Sequence, residues 1–293
     1  MSDYIRQHAV KIDYKLGESW IILNEIEQSI KKKIEAVGTP LKDWNISINY
    51  GIKTGLNEAF IISKEKRDEL IKIDPKSAEI IRPILRGRDI KRNEIDFQDI
   101  YIINSHNGYI SEDGTKIPPI NINDYPAIKD WLDNGEWNTK PQKGSNYERL
   151  AKRTDKGITP YNLRSLAYMD DLNRPKVVWN RIASKKSFGL VTPEFVVQDS
   201  VHFITGENLK YLTAVLNSKL FSWLMTIIIG DTAGGNAGNA SNVKDLTIIK
   251  PTENIINKIS RLLEEHDTKE IDKIIYNLYA LTDEEIHLVS SFK

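Results

Sequence analysis

Short β-rich runs crowd one part of this chain. They are KVVW at 176–179, FGLV at 188–191, FVV at 195–197 and VHFI at 201–204, each bounded by turn residues. Runs this brief, rich in Val, Phe and Ile, fit a mainly antiparallel or mixed sheet. A further run at 101–103 belongs to the same pattern. Directly after them, Leu209, Leu212, Leu216, Leu220 and Leu224 recur at helical spacing, which predicts one helix of about four turns with a wide apolar face. The expected fold class is therefore α+β: mixed, mainly antiparallel curved sheets with packed helices and a helical C-terminal region.

Elsewhere, Ile26, Ile30, Ile34 and Val37 predict a helix that stops at Gly38, Thr39 and Pro40, with Lys31, Lys32 and Lys33 on its exposed face. The runs 45–50 and 58–62 read as two strands joined by a loop holding Gly51, Lys53, Thr54, Gly55 and Asn57. Asp74-Pro75 is a helix start, Asp as cap and Pro in the first turn, and the helix is expected to run through Ile80 and Ile81 toward Pro83 and Gly87. Residues 230–242 form a Gly/Asn/Ala-rich loop, and 246–249 resume as a strand. Helical patterns follow at 255–263 and 271–279, then a third opened by Thr282 and Glu285 in capping-box spacing. The expected division is 1–22 as a lead-in or the remnant of something upstream, 23–250 as the main domain and 251–293 as a helical subdomain.

Charge adds a second constraint. Forty-one basic side chains balance 41 acidic ones, so this is not a protein that coats nucleic acid by bulk charge. The balance is uneven along the chain. From Asn134 to Lys186 twelve Lys/Arg face five acids, a surplus of seven, whereas Pro251 to Lys293 holds five basic and nine acidic residues. The chain has no cysteine, which excludes disulfides and thiolate metal sites and suits a reducing cytoplasm. Its longest apolar run, 220–229, is broken by Ser222 and Thr226 and is well short of the roughly 20 residues that span a bilayer. No membrane role is expected.

Compact catalytic motifs are missing. There is no G-x-x-x-x-G-K-[ST], G-x-G-x-x-G, G-x-S-x-G or H-E-x-x-H, and Gly234, Gly235 and Gly238 lack phosphate-loop spacing. A Mg²⁺-dependent nuclease would show Glu-x-Lys, which occurs nowhere in the chain. A base-flipping amino-methyltransferase needs an Asn/Asp-Pro-Pro-aromatic loop, and Pro118-Pro119 is flanked by isoleucines instead. His202 and Trp179 lie in β runs and are expected to be packed. No catalytic, cofactor-binding or metal-ligating residue is expected.

What remains are cationic and amide side chains on loops, the residue types that neutralise phosphate and read base edges. Singly, such a lysine is usually a solvated charge. Their order in the chain says more. YGIKTGLNEAFII (50–62) and DPKSAEIIRPILRGRDIKR (74–92) are followed by RTDKGITPYNLRS (153–165), KVVWNRI (176–182), VQDSVHFI (197–204), YLTAVLNSKL (211–220) and EIDKIIYNLYALTDEEIHLV (270–289). This succession resembles the TaqI-like C-terminal specificity domain of type IIG restriction-modification enzymes and related N6-adenine DNA methyltransferases.

The resemblance implies a module that grips double-stranded DNA and reads its target. Methyltransferase and nuclease domains, with their S-adenosylmethionine and Mg²⁺, would lie outside these residues. Lys53, Asn57, Arg86, Arg88, Arg164, Asn180, Arg181, Lys185 and Lys186 are the candidate DNA-facing residues. Arg181 leads, because the end of a strand aims its side chain rigidly. Arg88 has an alternative, a local ion pair with Asp89. YLTAVLNSKL also resembles type I specificity subunits, which leaves a second reading: a separate subunit that binds DNA and scaffolds methyltransferase and nuclease partner chains. A third reading, an independent hydrolase, would require a deep pocket with strongly shifted carboxylates.

Overall fold

A computed structural model describes residues 23–139, 144–181, 186–227 and 240–292. The chain divides into two compact units. Of the described residues, one unit takes those up to Ile46, Lys186 and those from Lys210 onward; the other takes the rest between Ser47 and Leu209. The fold is α+β with mainly antiparallel sheets, as the sequence indicates.

The first unit is largely helical. Helix Glu25–Val37 opens on Asn24, whose side chain accepts from the Glu27 N–H while Glu27 accepts from the Asn24 N–H, so two otherwise unpaired donors are satisfied together. Ile30 and Ile34 are its buried face. Of its three lysines, Lys32 is exposed, but Lys33 reaches Glu285 at 2.6 Å. The expected single helix over the leucine series is two helices, Leu209–Asn217 and Lys219–Ile227. Ser218 causes the break: its hydroxyl donates to the Val215 carbonyl and accepts from the Phe221 N–H, and Asp272 receives the Lys219 N–H at 2.9 Å. Helices Glu253–Glu264, Thr268–Leu278 and Asp283–Ser291 close the unit, the last capped by the Thr282/Glu285 box. A short antiparallel pair joins Thr39–Pro40 to Thr247–Ile248. Most of the expected 230–242 loop lies outside the described residues, and Ala240–Lys244 is helical.

Two four-stranded sheets build the second unit. In one, the order is Phe188–Val191, Lys176–Asn180, Val201–Gly206, Ile46–Tyr50, with Trp179 paired to Phe188 on one side and His202 on the other. Trp179 is fully buried and both neighbours stack near it, as expected for a core residue. In the other, Val196–Val197 runs parallel to Ile81–Leu85, followed by Ile100–Ile103 and Ile61–Ser63 in antiparallel order. One apolar core containing Phe60, Ile84, Ile102, Leu163, Val178 and Phe203 serves both.

Two segments differ from what their sequence pattern predicts. Residues 57–60 form a helical turn, not a strand, and the flanking strands Ile46–Tyr50 and Ile61–Ser63 belong to different sheets. The segment from Asp74 makes only a 3-10 turn, Pro75–Glu79, before Ile81–Leu85 extends to pair with Ile100–Ile103. The cap itself is as read, the Asp74 carboxylate accepting from the Lys76 N–H at 3.2 Å. Among the described residues no helix is long and apolar enough to cross a membrane.

Candidate nucleic-acid interface

In the second unit, loops at the strand ends are sewn together by backbone hydrogen bonds around residues 197–201. The Ile52 N–H donates to the Val197 carbonyl (2.7 Å) and the Gly51 N–H to that of Val201 (2.9 Å). The Gln198 N–H donates to Leu85 (2.9 Å), the Asp199 N–H to Ile52 (3.1 Å) and the Arg181 N–H to Ser200 (3.0 Å). One rim thus carries Lys53, the Arg86–Arg88 turn, Asn180 and Arg181. Its closeness explains a glycine: a Cβ on Gly51 would stand 2.2 Å from the Val197 and Gln198 carbonyl oxygens. Gly87 likewise lies flat on the Asn180 amide, 2.5 Å from where its Cβ would be, so the arginine turn and the strand end are in register.

A fifth loop joins through Asp155. One oxygen of this nearly buried carboxylate stands 3.3 Å from Lys53 Nζ and the other 3.5 Å from Arg164 Nη1, while both cations stay half exposed, at 51% and 52%. Gly55, at φ +68°, packs its backbone against Asp155. Asn57 is exposed, its Oδ1 accepting the Thr54 hydroxyl at 2.6 Å.

The two arginines around Asp89 have different fates. Arg86 donates from Nε and Nη2 to the buried Asp89 carboxylate, at 3.1 Å each, and the same carboxylate takes the Arg86 N–H at 2.8 Å. Arg86 therefore holds the turn. Arg88, for which the local pair was the alternative, keeps its Nε 4.0 Å from Asp89 and its side chain 73% exposed. Arg181 is exposed and Asn180 half buried. Lys185 lies outside the described residues; Lys186 is buried and belongs to the first unit.

Much of the basic stretch faces inward, which charge counting does not reveal. Arg153 is 5% exposed and donates to the carbonyls of Thr54, Asp155, Pro160 and Asn162, its guanidinium 4.3 Å from the Phe60 ring centre. Burial pulls its pKa down to about 10 against the opposing pull of Asp155. With Arg149, Lys152, Gly55 and Leu56 it lines an opening of about 400 Å³ in which every ionisable group is basic. Lys152, exposed beside this opening, is an interface candidate that sequence reasoning passed over. A wider groove of about 860 Å³ has the opposite character: around Trp131 and Ile73, the carboxylates of Glu58, Glu69, Asp74, Asp130 and Glu136 outnumber the one cation, Lys66, a lining that repels phosphate.

The sequence matches the TaqI-like C-terminal specificity domain over residues 82–235, just over half of its length. The chain belongs to that family. The matched span of the specificity domain contains Arg86, Arg88, Arg164, Asn180 and Arg181, whereas Lys53 and Asn57 precede it. No curated protein matches the sequence. Among solved structures, the type IIL restriction-modification enzyme MmeI, determined in complex with DNA, aligns with a TM-score of 0.52 at 13% identity, over 85% of this chain and 35% of that one. The type IIG restriction endonuclease BpuSI aligns with a TM-score of 0.47 at 12% identity, over 82% of this chain and 28% of its own. This specificity domain thus spans about a third of the length of those enzymes, and the likeness to MmeI is one of fold.

Proposed function

We propose that this specificity domain reads a double-stranded DNA target for a restriction-modification enzyme of the type IIG kind, whose adenine methyltransferase and nuclease domains act from outside these residues in the cytoplasm. The observation that carries the reading is the rim itself. Loops distant in sequence are tied by backbone hydrogen bonds of 2.7–3.1 Å, and from them Lys53, Arg88 and Arg181 reach solvent, with Arg164 joined to Lys53 through Asp155. A sewn rim fixes the spacing of its cations before DNA arrives, so little side-chain and loop ordering is left to oppose binding.

Phosphates would be met by Lys53, Lys152 and Arg164, which set orientation, while Arg88, Asn180 and Arg181 offer the donor geometry that discriminates base edges. S-adenosylmethionine and Mg²⁺ belong, on this reading, to the catalytic domains.

The test is selection of bound sequences from random duplexes by the purified chain at stated salt. One enriched sequence is expected. Lys53→Ala should then weaken all duplexes alike and lower the salt slope by about 0.9, whereas Arg181→Ala should relax preference at one base pair by about 1–3 kcal/mol. A random pool from which the chain enriches no sequence would end the proposal.

A further inference from the structure

The hairpin at 156–163 presents an unusual side chain. Lys156 and Leu163 face each other in an antiparallel bridge. At its tip Ile158 is 76% exposed, the most exposed large apolar side chain among the described residues. Of the others, Tyr50 and Tyr147 pack on Tyr168 and Tyr161 at 5.5 and 6.2 Å between ring centres, Ile73 lines the acidic groove, Val37 ends a helix, and Ile110, at 68%, sits opposite Lys116 in a two-stranded pair.

The backbone around Ile158 is held on both sides. Its own N–H donates to Asn107 Oδ1 at 2.6 Å, and the space where Gly157 lacks a Cβ is filled by that same amide. Across the turn, the Gly157 N–H reaches the Asn162 carbonyl at 2.9 Å and Thr159 Oγ1 donates to Asn162 Oδ1 at 2.6 Å. From below, Ser105 donates to the Tyr161 carbonyl at 2.7 Å, and Arg153 donates to those of Pro160 and Asn162. Glycine, threonine, proline and asparagine each do something in this turn. Ile158 does nothing for it: the turn needs only its N–H, which any residue but proline supplies.

A β-branched side chain has little rotamer freedom to lose when it is gripped. Held rigidly in water by a braced hairpin, with Lys156 exposed on one arm and the Arg164–Asp155–Lys53 group at its base, it has the build of an apolar probe set between cations. Proteins that distort DNA insert Ile, Leu, Phe, Met or Pro between base pairs while flanking cations hold the backbone. We infer that Ile158 is such a wedge: it enters the base stack of the bound duplex and unstacks one step. The inference rests on the reading of the rim as a duplex-binding surface.

The experiment uses the full chain and the duplex recovered from the random pool, with 2-aminopurine replacing each adenine in turn. Wild-type protein should raise fluorescence at one step. Ile158→Ala should abolish the rise, weaken binding about tenfold with the salt slope unchanged, and recover affinity on a duplex already mismatched at that step. Ile158→Lys separates wedge from bystander, because an added cation strengthens binding unless the apolar contact matters; here it should weaken it. Both variants should melt with the wild type, since the side chain is in solvent. Wild-type selection of a sequence, with Ile158→Ala matching it in affinity and fluorescence, would overturn the wedge and leave target recognition standing. A wild-type chain that enriches no duplex removes both.

Discussion

Lys53 and Asp155, far apart in sequence, stand 3.3 Å apart, and the same carboxylate faces Arg164 at 3.5 Å. One buried anion thus steers two half-exposed cations that would otherwise wander as flexible chains. Without DNA it keeps them aimed; with DNA it competes with phosphate for both.

Asp155→Asn should therefore separate affinity from discrimination. Two released cations make the protein stickier to any duplex, and the salt slope should steepen by about 0.9 for each further phosphate neutralised. Preference for the selected target should fall, because the cations are no longer placed. Competition binding of target against random duplex at several salt concentrations reads both quantities. A variant that loses affinity for all duplexes would mean that Asp155 does something other than position these two side chains.

The β runs of the second unit are legible because a strand with both faces covered is a short, nearly continuous apolar run, as at 177–179, 188–191 and 201–204, where only Gly189 and His202 interrupt the apolar side chains. The Thr282/Glu285 box was legible because both partners lie within one turn of helix. What sequence could not show were events decided by a distant partner. Ile80 and Ile81 look like the continuation of a helix from Asp74, yet pairing with Ile103 draws Ile81 into a sheet. In the leucine series, periodicity is blind to a serine hydroxyl that ends one helix and starts the next. Among candidate site residues, Lys53, Arg88, Arg164 and Arg181 are solvent-facing as loop cations generally are, whereas the closer pairing of Arg86 than Arg88 with Asp89 goes with a turn in which the Arg86 N–H meets the same carboxylate. Arg153 and Lys176 belong to the basic surplus of 134–186, and their burial is invisible to a charge count.

Arg153 should prove a structural residue of the interface. Its two Nη groups serve four backbone carbonyls from the 54 loop and the 155–162 turn, so one planar fork holds two loops at a fixed distance. Arg153→Met keeps the stem over Phe60 but strips the donors, leaving part-buried acceptors unpaired at a cost of roughly 3 kcal/mol or more. Arg153→Lys should recover only part, because a compact ammonium cannot span all four oxygens. Urea denaturation of the three proteins measures this; a loss under about 1 kcal/mol for Arg153→Met would mean that water replaces the clamp.

Lys176 makes stability depend on alkaline pH in an unusual direction. Its side chain is fully buried at the start of the strand Lys176–Asn180, with Nζ donating to the Phe195 carbonyl at 3.0 Å. Burial, then the Arg82 guanidinium, push its pKa down to about 7, with Glu194 pulling the other way. In the unfolded chain the amine titrates near about 10.4. Between these values the unfolded state holds the extra proton, so the contribution of Lys176 to stability rises as pH increases from about 7 to about 10, by at most about 1.4 kcal/mol per unit. Below about pH 7 both states are charged and the full penalty of burying the cation is present. Unfolding free energies of wild type and Lys176→Met, measured from about pH 6 to about pH 10, should accordingly run parallel at the acid end and cease to be parallel above it, the wild type gaining on the variant. Curves that stay parallel throughout would show that the buried amine remains charged.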